Sequence, residues 1–270
     1  SMVSGINLTA SRVLTSGAAN MFLITYNQDD NSSGYFNPPG LQSAGIGAWN
    51  LYSSSYLTNG FYTNDWDPGN GAYHTLIHEF GHALGLAHAH QGGGTSDTMD
   101  GVTSNKGDYG DYGLNQGAYT IMGYNYQGDI DGGDDTTGTS GNANYGFALG
   151  PSALDLGILQ SRYGADMTVA TGNNAYILDT TNDAGTGFKT IWDAGGTDYI
   201  QVFGPTGATI DLRAATLLYE EGGGGWISHV DGIYGGFTIA NGVVIENAYG
   251  ASGNDSITGN DSGNIINGEG

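Results

Sequence analysis

The chain has 270 residues, of which 50 are glycine, and its 27 acidic against 5 basic side chains give a formal net charge of −22. Nucleic acid and anionic membranes are therefore excluded as partners, because both require a basic surface. The glycines do not follow a Gly-X-Y period and the chain has only 5 prolines, so a collagen triple helix is excluded. So many acids repel one another in a compact state, and we expect bound cations, calcium first, to offset that repulsion.

The chain has no cysteine, so disulfides cannot stabilise it in any compartment. No apolar stretch approaches the ~18 residues of a membrane-spanning helix. Residues 1–5 lack the charged and apolar regions of a signal peptide. We therefore expect a mature or trimmed chain, whose targeting information has been removed or lies elsewhere.

Strands and turns are predicted up to about residue 70. Residues 20–26 form a largely apolar run typical of a buried strand, and residues 46–52 alternate in the manner of a second strand. The strongest helical pattern covers Ala72–His88, where apolar residues recur at helical spacing. We therefore predict a helix there that packs through one face.

Loop is predicted from Gly92 to Gly146, apart from the segment Tyr119–Tyr124. A second helix is predicted over residues 151–164, because proline in the first turn and glycine just past the end are typical of helix ends. Short β-type runs then alternate with Gly/Asp turns, at 190–192, 199–203 and 242–245. We expect two domains, residues 1–165 and an all-β domain over residues 166–270.

A weak repeat ends the chain, because residues 250–258 are followed by a similar segment at 259–267. Its register approximates the nine-residue G-G-x-G-x-D-x-U-x pattern, whose Gly-Asp turns bind calcium and whose apolar U residue faces the inside of a parallel β-roll. Ile257 and Ile266 occupy the U positions. We expect a truncated calcium-binding roll from about residue 250, with glycine-rich low complexity as the alternative.

Five of the six histidines lie between positions 74 and 90, and one run fits H-E-x-x-H-x-x-G-x-x-H at every fixed position. Positions i and i+4 of a helix share a face, so His78 and His82 can bind one zinc ion. Gly85 can adopt a left-handed conformation, which ends the helix and brings His88 back as the third ligand. Three protein ligands leave a position open for water, as in catalytic zinc sites.

Glu79 lies next to the ligand face of this helix. It can reach a water on the metal more easily than the metal itself, so we predict that it is the general base. The alternatives are a histidine-rich helix without a metal and a zinc-binding but inactive relative. The intact Glu79 argues against the inactive relative.

These residues resemble the metzincin metalloproteases, and Tyr119–Tyr124 resembles their Met-turn. The resemblance implies that Met122 forms a hydrophobic floor beneath the zinc. It also implies that Tyr124 reaches the metal or stabilises the transition state, as the matching tyrosine does in the serralysin and astacin branches.

Three further segments, residues 154–165, 191–198 and 242–250, narrow the resemblance to the serralysins, the calcium-dependent RTX-type metalloproteases secreted by bacteria. The resemblance implies two calcium sites, one formed by Asp193, Gly195 and Asp198 with backbone oxygens near Ala170, Gly172 and Asn174, the other by Gly196, Asp198, Val244 and Glu246. Carboxylates mixed with backbone carbonyls are the oxygen ligands that calcium prefers. Solvated acidic turns without calcium are the alternative.

The chain departs from the serralysin pattern in several places. The first 40 residues show no clear counterpart of the long N-terminal helix, and His90 stands where relatives often have a small residue or a proline-containing turn. We expect His74 to lie at the surface or behind the ligands rather than to be a fourth ligand. Residues 129–135 resemble a calcium loop but lack its glutamate, so we predict a flexible acidic loop there.

The sequence therefore predicts a secreted, monomeric zinc endopeptidase of the α+β class that cleaves proteins or peptides. A metzincin-like zinc protease catalytic domain with one catalytic zinc would precede an all-β calcium-binding domain, stabilised by several calcium ions, that contains the start of a parallel β-roll. We expect the substrate to pair with an edge strand over residues 45–52. The alternatives are an extracellular calcium-binding surface or adhesion module with a vestigial zinc site, and a peptidase dedicated to one partner.

Overall fold

The computed structural model describes residues 5–8, 21–26, 34–37, 45–50, 67–92, 97–125 and 145–269. The elements within these ranges are, in chain order, β1 (Met21–Tyr26), β2 (Gly34–Asn37), β3 (Gly45–Asn50), α1 (Gly71–Ala83), a 3₁₀-helix (Asp111–Gly113), α2 (Ala153–Tyr163), β4 (Ala175–Ile177), β5 (Phe188–Ile191), β6 (Tyr199–Gln201), β7 (Ala208–Asp211), β8 (His229–Val230), β9 (Gly236–Ile239), β10 (Asn247–Tyr249), β11 (Ser256–Thr258) and β12 (Ile265–Asn267). Neither described helix has the length and apolar character that crossing a membrane requires.

The first sheet has the strand order β1-β3-β2, with β3 parallel to β1 and antiparallel to β2. The strands predicted at 20–26 and 46–52 are thus confirmed over the described residues. The predicted edge at residues 45–52 is wrong over β3, because β3 already pairs on both sides. Strand order depends on long-range pairing that local alternation does not record. Among the described strands, β1 and β2 are the outer strands of this sheet, and α1 packs against β2 and β3.

Helix α1 begins where the Asn70 side chain accepts a hydrogen bond from the backbone nitrogen of Ala72 at 3.0 Å, which satisfies one of the free donors of the first turn. It ends at Ala83, and Gly85 follows with φ of +94°. The backbone nitrogen of Leu86 then donates to the carbonyl of Gly81 at 3.0 Å. The pattern over Ala72–His88 therefore forms a helix only as far as Ala83. Leu84 and Gly85 form a turn and residues 86–88 are irregular, in line with the expectation that Gly85 ends the helix.

Helix α2 starts two residues later than the pattern predicts, since Pro151 precedes the cap instead of lying in the first turn. The backbone nitrogen of Ser152 donates to the carboxylate of Asp155 at 2.9 Å, as in a capping box. Gly164, with φ of +85°, ends the helix as predicted. The hydroxyl of Tyr163 donates to the carbonyl of Leu84 at 2.9 Å, so the end of α2 contacts the end of α1.

The rest of the described chain is rich in strands, most of which pair in parallel. One sheet has the order β12-β10-β6-β4, another β11-β7-β8, and β5 pairs with β9. The runs predicted at 190–192 and 199–203 overlap β5 and β6. The run predicted at 242–245 is wrong, because Gly242 turns with φ of +80° and strand pairing resumes only at Asn247. Val243 and Ile245 are buried there, which explains the alternation.

The terminal repeat places its two turns in different sheets. Ile257 lies on β11, which pairs in parallel with β7, and Ile266 lies on β12, which pairs in parallel with β10. This alternation between two sheets is consistent with the winding of a parallel roll. Ile257 packs against the core, whereas Ile266 is 48% exposed, so the inward position is confirmed for the first isoleucine only.

One contiguous apolar core runs through the described parts of both predicted domains. It extends from α1 through the Met-turn and α2 into the strands, and its members include Ile77, Leu84, Met122, Leu156, Leu159, Ile200, Ile210 and Ile239. Gly157 on α2 permits close packing, since a side chain there would lie 2.6 Å from a methyl group of Leu217. Helix α2 is thus shared by the two parts, and the boundary at residue 165 stays a prediction.

Candidate metal centre

The structure brings His78, His82 and His88 together around one point. The Nε2 atom of His88 lies 3.1 Å from that of His78 and 3.0 Å from that of His82. Among the described residues, these three are the one group of histidine, cysteine or acidic side chains whose ligand atoms all lie within 4.8 Å of one another. His78 and His82 come from one face of α1, and the Gly85 turn delivers His88.

The Nδ1 atoms of the three rings fix their tautomers. The Nδ1 atom lies 2.7 Å from the carbonyl of Ile121 in His78, 2.8 Å from the carbonyl of Leu86 in His82, and 2.6 Å from the side-chain oxygen of Gln91 in His88. Each of these oxygens can only accept, so each Nδ1 must carry the proton. The three Nε2 atoms are then unprotonated and direct their lone pairs at one another.

This donor set fits zinc. Unprotonated nitrogens cannot hydrogen-bond to one another, so the approach of His88 Nε2 to about 3 Å from the other two favours a cation between them. Zinc with Zn–N distances of about 2.0–2.1 Å separates its nitrogen ligands by roughly 3.3 Å in tetrahedral geometry. Neutral imidazole nitrogens with an oxygen acceptor behind each ring are the usual zinc-ligand arrangement.

Two further predicted residues lie beside the histidines. Glu79 is 7% exposed, and burial raises the pKa of its carboxyl to about 7. The hydroxyl of Tyr124 lies 3.1 Å from Nε2 of His88. Burial, and then the charge of Glu79, raise the pKa of Tyr124. The two side chains therefore interact electrostatically, and the Tyr124 hydroxyl stays protonated. A carboxyl that titrates near neutral pH suits a group that must both accept and release a proton.

Met122 packs against α1, and its place beneath a zinc ion stays a prediction. It is buried, and a side chain at Gly81 would lie 2.7 Å from its sulfur, so the glycine between the two histidines of the helix permits the approach. The preceding residue, Ile121, provides the carbonyl behind His78. This segment therefore both supports the helix and orients one ligand.

The other two histidines of the cluster differ from one another in position. His74 is buried against Phe147, with ring centroids 5.7 Å apart, and burial lowers its pKa to about 4. It lies behind the ligands and outside the three-histidine group, so a surface position for His74 is wrong. Its place on the inner side of α1 explains the burial. His90 stacks on His88 at 4.9 Å and lies 4.6 Å from the Tyr124 ring.

The structure also brings most of the predicted calcium residues together. The backbone nitrogen of Asn174 donates to Asp198 at 2.6 Å, and that of Asp198 donates to Glu246 at 2.7 Å. The backbone nitrogen of Ala194, next to Asp193, donates to the carbonyl of Ala170 at 3.3 Å. A side chain at Gly196 would collide with the carbonyl of Gly172, and Gly195 has φ of +142°. No hydrogen bond among the described residues joins Val244 to these acids.

The acids of this cluster fit a cation. Asp198 is fully buried, and its Oδ2 atom has no hydrogen-bond partner among the described residues. Burial, and then the charges of Asp193 and Glu246, raise the pKa of Asp198. Neither of the two ion pairs found in the described part of the chain involves these acids. A buried carboxylate oxygen without a proton donor, close to two other acids, is a suitable ligand for calcium.

Two residues that hydrogen-bond to this centre or to its Met-turn are not predicted from the sequence. Gln91 lies three positions beyond the motif, where nothing marks it. Asp155 accepts hydrogen bonds from Thr120, Ile121 and Ser152 and so fixes the Met-turn. Its spacing from Ser152 is that of a capping box, which indicates a helix start but not this second role. The acidic segment 129–135 lies outside the described residues.

Residues 163–267 match the family model described as Peptidase M10 serralysin C terminal. The chain is 30% identical to metallopeptidase AprA of Pseudomonas marginalis, over 96% of this chain and 52% of that protein. It is 34% identical to serralysin C of Dickeya chrysanthemi, over 82% of this chain and 41% of the relative. It is 31% identical to a serralysin of Photorhabdus laumondii, over 82% of this chain and 42% of the relative.

The resemblance found in the motifs is therefore confirmed: the chain is similar to serralysin-type metalloproteases over most of its length. It carries the serralysin C-terminal domain, and the similarity to AprA extends through the three-histidine segment. The chain spans about half the length of the curated relatives it matches, or less.

Proposed function

We propose that the chain is a zinc-dependent endopeptidase that hydrolyses peptide bonds in proteins. The observation that carries the proposal is the convergence of three unprotonated imidazole nitrogens beside a buried carboxyl and a phenol. The serralysin relationship supports the same activity and does not favour an adhesion module with a vestigial site.

Each residue has a distinct task in this proposal. His78, His82 and His88 hold zinc, which when bound supplies an acidified water and polarises the scissile carbonyl. Glu79 accepts the proton of the attacking water and later delivers it to the leaving amine, since its pKa of about 7 allows both transfers near neutral pH. The Tyr124 hydroxyl donates a hydrogen bond to the oxyanion that develops on the carbonyl.

The substrate strand is assigned to β2 in place of residues 45–52. Helix α1 packs against β2 and β3, and β3 pairs on both sides. Within the described sheet, the outer edge of β2 is therefore the row of backbone donors and acceptors without a partner strand that lies against the zinc helix. An extended peptide adds to this edge as a further strand, which aligns its backbone with the metal centre.

The proposed protein is extracellular and depends on calcium. The first 165 residues provide the metzincin-like catalytic part, and the acids around Asp198 bind structural calcium ahead of the RTX-type roll from about residue 250. The buried Oδ2 atom of Asp198, which has no hydrogen-bond partner among the residues that the structure describes, supports this role. Its neutralisation by calcium reduces the repulsion of a chain with a net charge of −22.

The decisive experiment uses Glu79→Ala. We expect this variant to bind one zinc per chain, measured by elemental analysis, and to lose hydrolysis of casein. Glu220→Ala, at an exposed position remote from the motif, is the matched control and should cleave at the wild-type rate. Wild-type hydrolysis by Glu79→Ala, or no chelator-sensitive cleavage by metal-loaded wild type, would contradict the proposal.

A further inference from the structure

We propose that Gln91 is a positioning residue that sets the affinity and the residence time of zinc, by accepting the hydrogen bond from Nδ1 of His88. This proposal rests on the zinc site proposed above and concerns its regulation. The side-chain oxygen of Gln91 lies 2.6 Å from Nδ1, the shortest of the three ring-to-oxygen distances.

The three ligand histidines are not held equally. The carbonyl behind His78 belongs to Ile121, which is fully buried, and the carbonyl behind His82 belongs to the buried Leu86. Both acceptors are main-chain atoms fixed by the fold. The acceptor behind His88 is instead the amide oxygen at the end of the exposed Gln91 side chain. His88 is therefore the one of the three histidines whose Nδ1 acceptor is a side chain rather than the main chain.

Local geometry explains how Gln91 reaches the ring. The backbone nitrogen of Gln91 donates to the carbonyl of His88 at 3.3 Å, which closes a turn and directs residue 91 back towards residue 88. His90 stacks on one face of the His88 ring, and Tyr124 lies edge-on to it at 5.0 Å. These contacts restrict the ring plane. The Gln91 oxygen is the acceptor on Nδ1, and with the Tyr124 hydroxyl 3.1 Å from Nε2 it determines which ring nitrogen faces the other two histidines.

The chemistry of the acceptor predicts a graded effect. An oxygen behind a ligand imidazole fixes its tautomer and raises its basicity, and loss of such a partner typically lowers metal affinity about 10- to 100-fold. A carboxylate is a stronger acceptor than an amide, because its charge roughly doubles the strength of the hydrogen bond. Glutamate at position 91 should therefore hold zinc at least as tightly as glutamine, and alanine should hold it much less tightly.

The same asymmetry predicts the path of zinc loss. Dissociation requires one ring to turn away first, and the ring with an exposed side-chain acceptor turns most easily. His88 is then the first ligand to leave, and the Gln91 hydrogen bond opposes that step. Removing the bond should accelerate zinc release, whereas the two ligands on α1 keep their backbone acceptors.

The test compares wild type with Gln91→Ala and Gln91→Glu. Zinc affinity is measured by competition with a chromophoric chelator, zinc release by its rate of transfer to excess chelator, and casein hydrolysis on the same samples. Gln201→Ala and Gln201→Glu, on β6, are matched controls for the lost side chain and for the added charge. We expect about 10- to 100-fold weaker binding and faster release for Gln91→Ala, affinity at or above wild type for Gln91→Glu, and wild-type values for both controls.

Melting of the zinc-free proteins excludes a general structural effect, because the exposed Gln91 should leave the melting temperature unchanged. Equal zinc affinity of wild type and Gln91→Ala, or equal weakening by alanine and glutamate, would overturn the proposal. A failure of the proposed function looks different, because wild type then binds zinc without cleaving casein. The zinc affinities of the variants relative to wild type can still be measured in that case. A wild type that binds no zinc overturns both.

Discussion

The carboxylate of Asp155 accepts a hydrogen bond from the backbone nitrogen of Ile121 at 2.8 Å, and the carbonyl of the same Ile121 accepts the Nδ1 proton of His78. A buried acid on α2 is thereby connected to a predicted zinc ligand on α1 through one peptide segment. The Thr120 hydroxyl donates to the same carboxylate at 2.7 Å and tightens this segment further. Asp155 is thus connected to the proposed metal centre without touching any of the three histidines.

Asp155→Ala should destabilise the protein by about 2–4 kcal/mol, because it leaves the backbone nitrogens of Ile121 and Ser152 buried without an acceptor. Urea unfolding measures this loss. Zinc affinity should fall as well, since the carbonyl behind His78 is no longer fixed. Asp166→Ala, at an exposed turn, is the control and should leave zinc affinity unchanged. Zinc affinity equal to wild type in Asp155→Ala would refute the connection.

Asp155 also predicts a dependence of stability on pH. Burial raises its pKa from 3.8 to about 6, although three hydrogen bonds oppose the shift. The folded state therefore prefers the protonated acid, so this group's contribution is complete below pH 3.8 and is lost as the pH rises through 6. The difference corresponds to about 3 kcal/mol. Asp155→Asn, a neutral mimic of the acid, should gain stability relative to wild type between pH 4 and pH 7.

Chemical unfolding of both proteins at several pH values tests this sign. The comparison cancels the titration of the other acids, which the two chains share. A free-energy difference between Asp155→Asn and wild type that stays constant over this range would show that Asp155 does not titrate as described.

Tyr124→Phe should lower kcat for casein by roughly 100-fold and leave zinc affinity within about twofold of wild type. The hydroxyl lies 3.1 Å from Nε2 of His88, close enough to meet the oxyanion, but it is not one of the three nitrogen ligands. Tyr73→Phe, which removes a hydroxyl from the same helix region, is the control. Unchanged kcat in Tyr124→Phe would remove the tyrosine from the mechanism.

At a free calcium concentration 100 times the Kd of a site, calcium binding at that site should raise the melting temperature of wild type by about 5–10 °C. Asp198→Asn should lose most of that rise. With a chelator present the order should reverse, and the variant should be more stable than wild type. The buried Asp198 oxygen, unpaired within the described part of the chain, and the nearby charges of Asp193 and Glu246 are then uncompensated. Asp183→Asn, at an exposed position, should behave as wild type. A wild type indifferent to calcium contradicts the proposed sites.

The residues that sequence predicts best are those whose function depends on local spacing. The histidines of α1 and the Gly85 turn follow from helical periodicity and from a left-handed glycine, which are properties of a few neighbouring residues. The capping of α2 by Ser152 and the overlap of predicted runs with β5 and β6 are local in the same sense. Residues whose spacing carries the chemistry can therefore be placed without a structure.

The features that sequence does not predict depend on contacts between distant segments. Strand order placed β3 in the centre of its sheet, although its alternation suits an edge equally well. Val243 and Ile245 alternate like a strand because both are buried, yet Gly242 turns the backbone away from pairing. Gln91 becomes important only once the turn closes onto His88. His74 looks like a surface residue until Phe147, far along the chain, covers it.

Helix α2 contacts α1 through Tyr163, the Met-turn through Asp155, and the strand-rich part through Gly157 and Leu217. We therefore expect a change in the packing of the strand-rich part to affect the proposed zinc ligands. If calcium tightens zinc binding by some factor, thermodynamics requires that zinc tighten calcium binding by the same factor. The two metals should then act as mutual effectors, and neither affinity has a single value unless the concentration of the other ion is stated.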